Sequence, residues 1–367
     1  MNILSIETVQ VAVPLTKPFK TALRTVTVAE SIFVKITTDS GMVGWGEAPP
    51  THVITGDSLG SIQFAIEQVI GPQLIGLDLR HSERVFQKLH SCMVGNSSAK
   101  AALDMAIYDL LGQQAGMPLV TFLGGYRDTL ETDFTVSVND AEEMAEDALR
   151  YVKSGFNVLK VKVGIDDIEK DIDRIRAIRA EIGFDTKLRL DANQGWEAKE
   201  AVRAIGQMED AGLQIELIEQ PVKAHDIEGL KHVTTHTYTP IMADESVFSP
   251  KDALQVLQLR AADLINIKLM KAGGIYKALK INALAESYGI ECMTGSMIET
   301  KLGITAAAHF AASQPNITRY DFDAPLMLAE DIVEGGVIYE GRIIRFSIAN
   351  GLGIDKVRMD ERFMRKQ

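Results

Sequence analysis

Cysteine and aromatic residues are both scarce in this chain. Its 367 residues include two cysteines, Cys92 and Cys292, and 6% Phe, Trp and Tyr. Two cysteines so far apart in sequence form neither a disulfide framework nor a zinc-site pattern. We therefore expect a protein of a reducing compartment, the cytoplasm.

Positive charge and long apolar runs are also in short supply. Lys and Arg number 38 against 50 Asp and Glu, a formal net charge of −12. Nucleic-acid-binding proteins present a basic surface to phosphates, so we expect no nucleic-acid partner. No stretch approaches the ~18 apolar residues of a membrane span. Met1–Glu7 also lacks the basic start and apolar run of a secretory signal, so we expect no membrane insertion or export.

The N-terminal part of the chain has β-rich runs followed by helical patterning. Three runs rich in β-branched residues are Ile3–Pro14, Ser31–Asp39 and Met42–Gly46. The turn signal Asp39-Ser40-Gly41 lies between the last two and predicts a hairpin. Further on, Ser97-Ser98 is the expected N-cap of a helix over Ala99–Gln114. The sequence predicts an α+β capping domain over residues 1–125.

From about residue 132 onward, short β-rich runs alternate with helical stretches. The eight runs are Thr132–Val138, Val158–Val163, Lys187–Asp191, Ile215–Glu219, Pro240–Asp244, Leu264–Lys268, Ile290–Gly295 and Ile317–Asp321. Their C-terminal polar residues recur every 24 to 29 positions from Lys162 onward, which is the length of one βα unit. We therefore predict an α/β fold, a modified (β/α)7β TIM-like barrel over residues 126–323.

An open, doubly wound sheet is the alternative to a barrel. The eightfold repeat favours the barrel, and the first strand is not followed by the Gly-rich turn of a dinucleotide-binding fold. Between the strands, apolar residues recur at helical spacing, as in Ala201, Ala204, Ile205 and Met208. The pattern weakens after the eighth run, and we expect residues 324–367 to pack back on the capping domain.

Three carboxylates end the third, fourth and fifth predicted strands: Asp191, Glu219 and Asp244. The active sites of such barrels lie at the C-terminal ends of the strands. Like charges gathered there repel unless a cation lies between them. An all-oxygen, acidic cluster suits Mg²⁺ or Mn²⁺. A single carboxylate could be a loop ion pair or a helix cap, but three in register predict a metal site.

Lysines end the second and sixth predicted strands, which lie opposite each other in an eight-stranded ring. Lys160 and Lys162 alternate onto one side of their strand, so we expect both to point inward, facing Lys268. A lysine base at neutral pH needs a pKa lowered from ~10.4 to ~7–8, and neighbouring cations act in that direction. The alternative is that the lysines only neutralise the carboxylates.

Two opposed bases across a metal-bound carboxylate point to one reaction. One lysine would remove the proton α to the carboxylate, and the metal would stabilise the resulting charge as a Lewis acid. The other lysine, as an ammonium, would return a proton to the opposite face. The configuration at the α-carbon would then invert.

These motifs resemble a known family over nearly the whole chain. The matching segments are Lys160-Val161-Lys162, Asp191-Ala192-Asn193, Glu219-Gln220-Pro221, Asp244-Glu245-Ser246 and Lys268 ahead of Gly273-Gly274. As a set they resemble the muconate-lactonizing-enzyme subgroup of the enolase superfamily. A lysine base with Mg²⁺ stabilising an ene-diolate is the known chemistry of enolase-superfamily sites.

The resemblance implies a cofactor and roles for these residues. It implies one Mg²⁺ per subunit, replaceable by Mn²⁺, on Asp191, Glu219 and Asp244. It implies Lys162 and Lys268 as the acid/base pair and Lys160 as a contact of the substrate carboxylate. It also implies a homo-oligomer.

The substrate must be read from residues outside this common set. Asp321 and Asp323 follow the eighth strand and share one side by alternation, so they favour a substrate ammonium over an anionic ligand. An ordinary acidic loop is the alternative. The pair resembles the Asp-x-Asp of the dipeptide epimerases, which holds an α-ammonium.

Loops elsewhere resemble dipeptide epimerases of the L-Ala-D/L-Glu type. Arg24, in a loop placed to close over the barrel, could clamp a second carboxylate or be a solvated surface residue. In that family the arginine would meet the glutamate side chain. Thr135, Ser296 and Ile298 resemble further substrate contacts, and His52–Asp57 resembles a second closing loop.

We therefore predict a dipeptide epimerase with a small-molecule dipeptide as its partner. The expected reaction is Mg²⁺-dependent, two-base inversion of the second residue, L-Ala-L-Glu to L-Ala-D-Glu, in murein peptide metabolism. The alternatives on the same scaffold are an N-acylamino acid racemase, an o-succinylbenzoate synthase and a muconate cycloisomerase. A catalytically silent, metal-binding barrel is the alternative outside enzymology.

Overall fold

The N-terminal part of the computed structural model is a three-stranded antiparallel sheet packed on helices. The model describes residues 1–358 and Phe363. The strands, in the order β1-β2-β3, are β1 Ile3–Lys20, β2 Thr25–Thr38 and β3 Val43–Ala48. The helices are α1 Leu59–Phe64, which continues through a π-helical Ala65–Ile70 into α2 Gly71–Leu74, then a 3₁₀ turn Leu79–His81, α3 Ser82–Ser91, α4 Ser97–Ala115 and α5 Leu119–Phe122.

Helix α4 is the centre of this part and is buried on nearly every side. Strand β3 crosses it so closely that a Cβ at Gly46 would clash with the Ala102 carbonyl. The predicted N-cap was wrong: the cap residue is Asn96, and Ser97 and Ser98 lie inside the helix. The reason is that the capping carboxylate comes from a distant loop, since Asp57 Oδ2 accepts the Ser98 N–H at 3.2 Å.

Eight parallel strands form the second part, with sequential neighbours paired in order from β5 to β12. A short strand β4, Thr129–Glu131, precedes them. The strands are β5 Phe134–Val136, β6 Val158–Lys162, β7 Lys187–Asp191, β8 Ile215–Glu219, β9 Ile241–Ala243, β10 Leu264–Lys268, β11 Cys292–Gly295 and β12 Ile317–Tyr320. The helices are α6 Ala141–Lys153, α7 Ile168–Ile182, α8 Ala198–Asp210, α9 Ile227–His236, α10 Pro250–Leu259, α11 Leu269–Ala272, α12 Ile275–Ser287 and α13 Lys301–Ser313. The predicted TIM-like fold with an N-terminal cap is confirmed.

Isolated hydrogen bonds join the first and last barrel strands. Asp133 N donates to Tyr320 O at 3.3 Å, and Phe322 N donates to Thr132 Oγ1 at 2.8 Å. Thr135 N donates to Asp323 Oδ2 at 2.6 Å. The last of these bonds links the first barrel strand directly to Asp323, a predicted substrate-binding residue.

Three buried carboxylates of the cap accept main-chain N–H groups from later parts of the chain. Glu47 accepts from Thr300 at 2.9 Å and Gly303 at 2.8 Å, at the start of α13. Asp104 accepts from Ile275 at 2.6 Å, at the start of α12. Asp109 accepts from Leu352 at 2.9 Å. The bonds of Glu47 and Asp104 satisfy free N–H groups at helix starts and join the cap to barrel helices, whereas that of Asp109 joins the cap to the C-terminal segment.

The C-terminal segment adds a 3₁₀ turn and four short strands: Ala324–Met327, β13 Val333–Gly335, β14 Ile338–Glu340, β15 Ile343–Arg345 and β16 Ile354–Val357. Strand β15 pairs with both β14 and β4. Gly351 bonds to Met117 and Leu119, next to α4 and α5. Part of the predicted segment 324–367, namely 359–362 and 364–367, lies outside the described residues. The domain limits at 125 and 323 stay predictions. Among the described helices, none combines the length and apolar character needed to cross a membrane.

Candidate active site

A row of charged residues lies at the C-terminal ends of adjacent barrel strands. In the parallel ladder Lys162 is opposite Asp191, and Asp191 is opposite Glu219. Asp244 follows β9, and Lys268 ends β10 opposite Gly295. A Cβ at Gly295 would lie 3.2 Å from Lys268 Cε, so the glycine leaves space for the lysine. The strand register therefore brings the predicted metal and acid/base residues together.

Lysine ammonium groups lie between the carboxylates of this row. Lys160 Nζ is 3.1 Å from Asp191 Oδ2 and 2.8 Å from Glu219 Oε2. Lys162 Nζ is 2.6 Å from Asp191 Oδ2, and Lys268 Nζ is 2.7 Å from Asp244 Oδ2. All six groups are buried. Each carboxylate thus has a cationic partner, without which its burial would be costly.

The pKa values in the row reflect competition between burial and these ion pairs. Burial raises the pKa of Asp191, but the charges of Lys162 and Lys160 outweigh it and lower that pKa to about 2. Burial and the charge of Asp191 raise the pKa of Glu219 to about 7. Burial lowers the pKa of Lys268, yet the charges of Asp244 and other carboxylates raise it overall. The nearby Lys160 ammonium lowers this pKa, but in this arrangement the carboxylates outweigh it.

The donor chemistry of the row fits a hard divalent cation. Asp191, Glu219 and Asp244 supply buried carboxylate oxygens, the ligands that Mg²⁺ prefers. Within the described part of the chain no three acidic, His or Cys side chains are spaced as a ready-made metal cage. A cation bound by these carboxylates would have to displace the ammonium groups of Lys160, Lys162 and Lys268. Buried oxygens without a hydrogen-bond donor among the described residues lie nearby, on Asn193 (Oδ1) and Glu245 (Oε2).

Asp321 and Asp323 lie on the same cavity as Lys160, Lys162 and Lys268. Asp321 Oδ2 accepts from Lys160 Nζ at 2.8 Å, and the lysine charges lower the pKa of Asp321 despite burial. Burial and the charge of Asp321 raise the pKa of Asp323 to about 7. Lys160 therefore bridges the acidic pair and the predicted metal ligands, a contact that sequence reasoning did not foresee.

The remaining predicted contacts line this cavity as well. They are Arg24, Thr135, Ser296 and Ile298. No hydrogen bond or ion pair of the Arg24 guanidinium is found within residues 1–358 and Phe363, and burial lowers its pKa. A largely desolvated guanidinium without an anion is suited to bind a ligand carboxylate. Thr135 and Ser296 also bond to the acidic pair, Thr135 N to Asp323 Oδ2 and Ser296 Oγ to Asp321 O at 3.4 Å.

The cavity is closed by loops of the cap. Phe19, Arg24, Val53 and Ile54 line it, and the Phe19 ring centroid lies 5.8 Å from Lys162 Nζ. Its volume is about 50 Å³, well below the ~300–1,000 Å³ of small-molecule sites. A dipeptide therefore needs more space than this arrangement of cap residues and lysines leaves.

The end of β1, which leads into the first of these loops, is held to the barrel by polar contacts. Lys17 Nζ lies 2.6 Å from Asp147 Oδ2 and 2.7 Å from Glu143 Oε1 on α6. Lys20 Nζ donates to Asn139 Oδ1 at 2.6 Å. The closed position of the loop is thus fixed by side chains that lie outside the cavity.

Sequence reasoning missed several buried polar residues around the row. Gln220 Oε1 accepts the Asp244 N–H at 2.8 Å, and Asn266 Nδ2 donates to Glu219 Oε1 at 2.8 Å. Lys271 lies 2.7 Å from Asp244 Oδ1. Gln220 and Asn266 stood within or beside the motifs quoted, so their polarity was a usable signal. Lys271 lies on the helix after β10 and had none.

Two family models together match most of the chain. The model for the mandelate racemase / muconate lactonizing enzyme N-terminal domain matches residues 3–124. The model for the enolase C-terminal domain-like family matches residues 143–360. The first match ends just after α5, and the second begins within α6.

Relatives with assigned activities resemble the chain over nearly its whole length. The L-Ala-D/L-Glu epimerase of Bacillus subtilis (strain 168) is 64% identical over 354 residues, covering 96% of this chain and 97% of the relative. A substrate-liganded structure of the B. subtilis epimerase superposes with a TM-score of 0.97 at 64% identity, covering 98% of this chain and all of that one.

A second solved structure is less similar in sequence. The dipeptide epimerase of Enterococcus faecalis V583, complexed with Mg and the dipeptide L-Leu-L-Tyr, has a TM-score of 0.93 at 47% identity and covers 96% of this chain and 99% of its own. With both family models matched in order and the site residues in register, the chain belongs to the mandelate racemase/muconate lactonizing enzyme family of the enolase superfamily.

Proposed function

We propose that this chain is a dipeptide epimerase that inverts the α-carbon of the second residue, with L-Ala-L-Glu as its substrate. One observation carries the proposal: Lys162 and Lys268 line the same cavity as Asp321, Asp323 and Arg24. The names of the similar B. subtilis and E. faecalis enzymes support the same reaction class, an isomerase acting on dipeptides.

Charge complementarity selects the substrate. Asp321 and Asp323 would bind the N-terminal ammonium, and Arg24 would bind the side-chain carboxylate of the second residue. The E. faecalis structure contains L-Leu-L-Tyr, a dipeptide without a side-chain carboxylate. In this chain, preference for Glu at the second position would rest on the contact with Arg24.

The two lysines perform the proton transfer. Lys162 ends the second barrel strand and Lys268 the sixth of eight, so they approach the α-carbon from opposite sides. The neutral amine of one accepts the α-proton as the C–H bond breaks. The ammonium of the other donates a proton to the opposite face, so the new C–H bond has inverted configuration. The Phe19 ring, which lies over Lys162 Nζ, keeps water away from the electron pair that the broken C–H bond leaves on the α-carbon.

Asp191, Glu219 and Asp244 would hold a Mg²⁺. When bound, Mg²⁺ would supply a Lewis acid that offsets negative charge on the substrate carboxylate. Lys160, Lys162 and Lys268 would then exchange their present carboxylate partners for the substrate. Replacement of Mg²⁺ by Mn²⁺, one ion per subunit, homo-oligomerisation and a cytoplasmic location stay predictions.

The acidic pair separates this proposal from its rivals. A succinylbenzoate precursor and muconate lack an ammonium group and an N-acylamino acid lacks the α-ammonium, so two carboxylates placed for that group would disfavour them. A silent metal-binding barrel would have no use for two buried lysines on opposite sides of one cavity. We therefore retain the dipeptide reaction as the function that the site supports best.

Proton NMR in D₂O tests the proposal. The protein with Mg²⁺ and L-Ala-L-Glu should lose the glutamate α-proton signal as the L-Ala-D-Glu signals appear. Exchange with other dipeptides but not with this one would keep the reaction and remove Arg24 as the glutamate contact. Absence of exchange with every dipeptide, but exchange with an N-acylamino acid, would overturn the substrate class.

A further inference from the structure

Lys271 is a buried lysine beside the active site. It lies on α11, directly after β10, and its side chain is 1% exposed. Its Nζ forms an ion pair with Asp244 Oδ1 at 2.7 Å, without the geometry of a hydrogen bond, and it donates hydrogen bonds to the main-chain carbonyls of Asp244 and, at 3.1 Å, Asn266. The Phe248 ring covers the ammonium at 5.7 Å. Its contacts therefore join Asp244, Asn266 and Phe248 around one buried ammonium.

The two oxygens of Asp244 have different partners. Oδ1 faces Lys271, whereas Oδ2 faces Lys268. Lys268 lines the substrate cavity, and Lys271 does not. Lys271 thus holds one oxygen of Asp244, while the other oxygen faces Lys268, which lines the cavity. The main-chain N–H of Asp244 is fixed as well, by Gln220 Oε1.

Lys271 is also connected to the neighbouring ligand candidate. The Asn266 carbonyl accepts from Lys271, and the Asn266 side chain donates to Glu219 Oε1 at 2.8 Å. Lys271 therefore ties the end of β9, which Asp244 follows, to β10, where the Asn266 side chain bonds to Glu219 at the end of β8. Groups that orient ligands from outside their coordination sphere commonly change metal affinity by ~10–100-fold when removed.

We infer that Lys271 is a positioning residue that orients Asp244, and through Asn266 also Glu219, for binding of a divalent cation. The inference rests on the proposed function, because it takes Asp244 and Glu219 to be metal ligands. Lys271 itself does not touch the substrate cavity and is not assigned a proton-transfer role.

A buried lysine of the cap provides a matched control. Lys100 is 7% exposed and also donates to two main-chain carbonyls, those of His90 and Met93. It contacts none of the residues in the row. Lys100→Met should therefore lower stability through the loss of a buried ammonium without altering metal binding.

The experiment is calorimetric titration of the full-length protein with Mg²⁺ in the absence of substrate. Lys271→Met should raise the Mg²⁺ Kd by about 10–100-fold. Lys271→Arg should recover part of the affinity, because it keeps a cation against Asp244. Lys100→Met should have the Mg²⁺ Kd of the wild type. Circular dichroism establishes that each variant is folded. Lys271→Gln, whose amide can still donate to the two carbonyls, serves as a second variant if Lys271→Met does not fold, with the same loss of affinity expected.

The outcomes separate the inference from the proposed function. Absence of Mg²⁺ binding by the wild type would overturn the metal site and with it the function proposed above. If the wild type binds Mg²⁺ and folded Lys271→Met or Lys271→Gln has a Kd equal to or below the wild-type value, only the role of Lys271 is overturned. Failure of both variants to fold would assign Lys271 to the fold and equally overturn it.

Discussion

Two regions of this molecule bury carboxylates, and they stabilise them in opposite ways. At the barrel mouth, Asp191 and Asp244 are paired with lysine ammonium groups. At the seam between cap and barrel, Glu47 and Asp104 accept hydrogen bonds from main-chain N–H groups at helix starts. The mouth is built from charged pairs, whereas the seam is built from carboxylates and neutral donors.

The difference matters because the two kinds of partner are not equally replaceable. A lysine has a flexible stem and can leave one carboxylate for another ligand. A main-chain N–H is fixed by its helix and cannot. We expect the mouth to exchange its internal ion pairs for cation and substrate, while the seam stays closed. Substitutions in the mouth should therefore change chemistry, and substitutions in the seam should change stability.

The largest effect is expected from the lysines of the mouth. Lys162→Met and Lys268→Met should each lower kcat/KM for dipeptide epimerisation by about 10²–10⁴-fold, the usual contribution of a positioned acid or base. In D₂O each variant should still exchange the α-proton of only one substrate epimer, because one lysine remains on one face. NMR with both epimers checks this. Exchange of both epimers by one variant would show that a single base serves both faces.

The acidic pair should produce the next largest effect. Asp323→Asn, and likewise Asp321→Asn, should raise KM for L-Ala-L-Glu by about 10–100-fold, because a hydrogen bond to a charged group contributes about 1.5–3 kcal/mol. Steady-state kinetics with N-acetyl-L-Ala-L-Glu supply the control, since this compound has no ammonium to lose. An equal rise in KM for the acetylated compound would mean that the aspartates maintain the shape of the cavity and do not bind the substrate ammonium.

The seam provides the contrasting variant, Glu47→Gln. Both Glu47 oxygens already accept bonds, from Ser31, Thr300 and Gly303, so an amide NH₂ would face a donor. We expect the free energy of unfolding to fall by about 1–3 kcal/mol with turnover retained, measured by urea denaturation and kinetics. Loss of turnover at unchanged stability would contradict the division between mouth and seam.

The two regions also differ in how far sequence reasoning reached them. The carboxylates and lysines of the mouth end strands that recur every 24 to 29 residues, so spacing and strand alternation placed them together. The bounds of β7, β8 and β10 matched the predicted runs. Parallel strands in a closed sheet leave little freedom in where such residues lie.

The seam could not be predicted in the same way. Glu47 and Thr300 are 253 positions apart, and nothing in either local pattern indicates that they meet. The same holds for Asp57, which caps α4 in place of the serines inside it. Contacts of this kind depend on how two parts of the chain dock. Lys160 is an intermediate case: its inward direction followed from alternation, but its bond to Asp321 depended on barrel closure.

The smallest expected effect is a pH dependence of substrate binding at the mouth. Burial and the charge of Asp321 raise the pKa of Asp323 to about 7, so below that pH its carboxyl group carries a proton in the free enzyme. A substrate ammonium binds the ionised form. KM for L-Ala-L-Glu should therefore rise as pH falls, by about tenfold one unit below the pKa, because the competent fraction shrinks by that factor.

Kinetics from pH 5.5 to 8 with Asp323→Asn as comparison can assign this effect. The variant should have a high KM that no longer changes with pH in this range. Glu219 has a pKa raised to about 7 as well, and its titration would act through Mg²⁺ binding. A low-pH rise that persists in Asp323→Asn and moves to lower pH as Mg²⁺ is increased would therefore belong to Glu219. That result would transfer the pH dependence from the ammonium site to the metal site, a few ångströms away across Lys160.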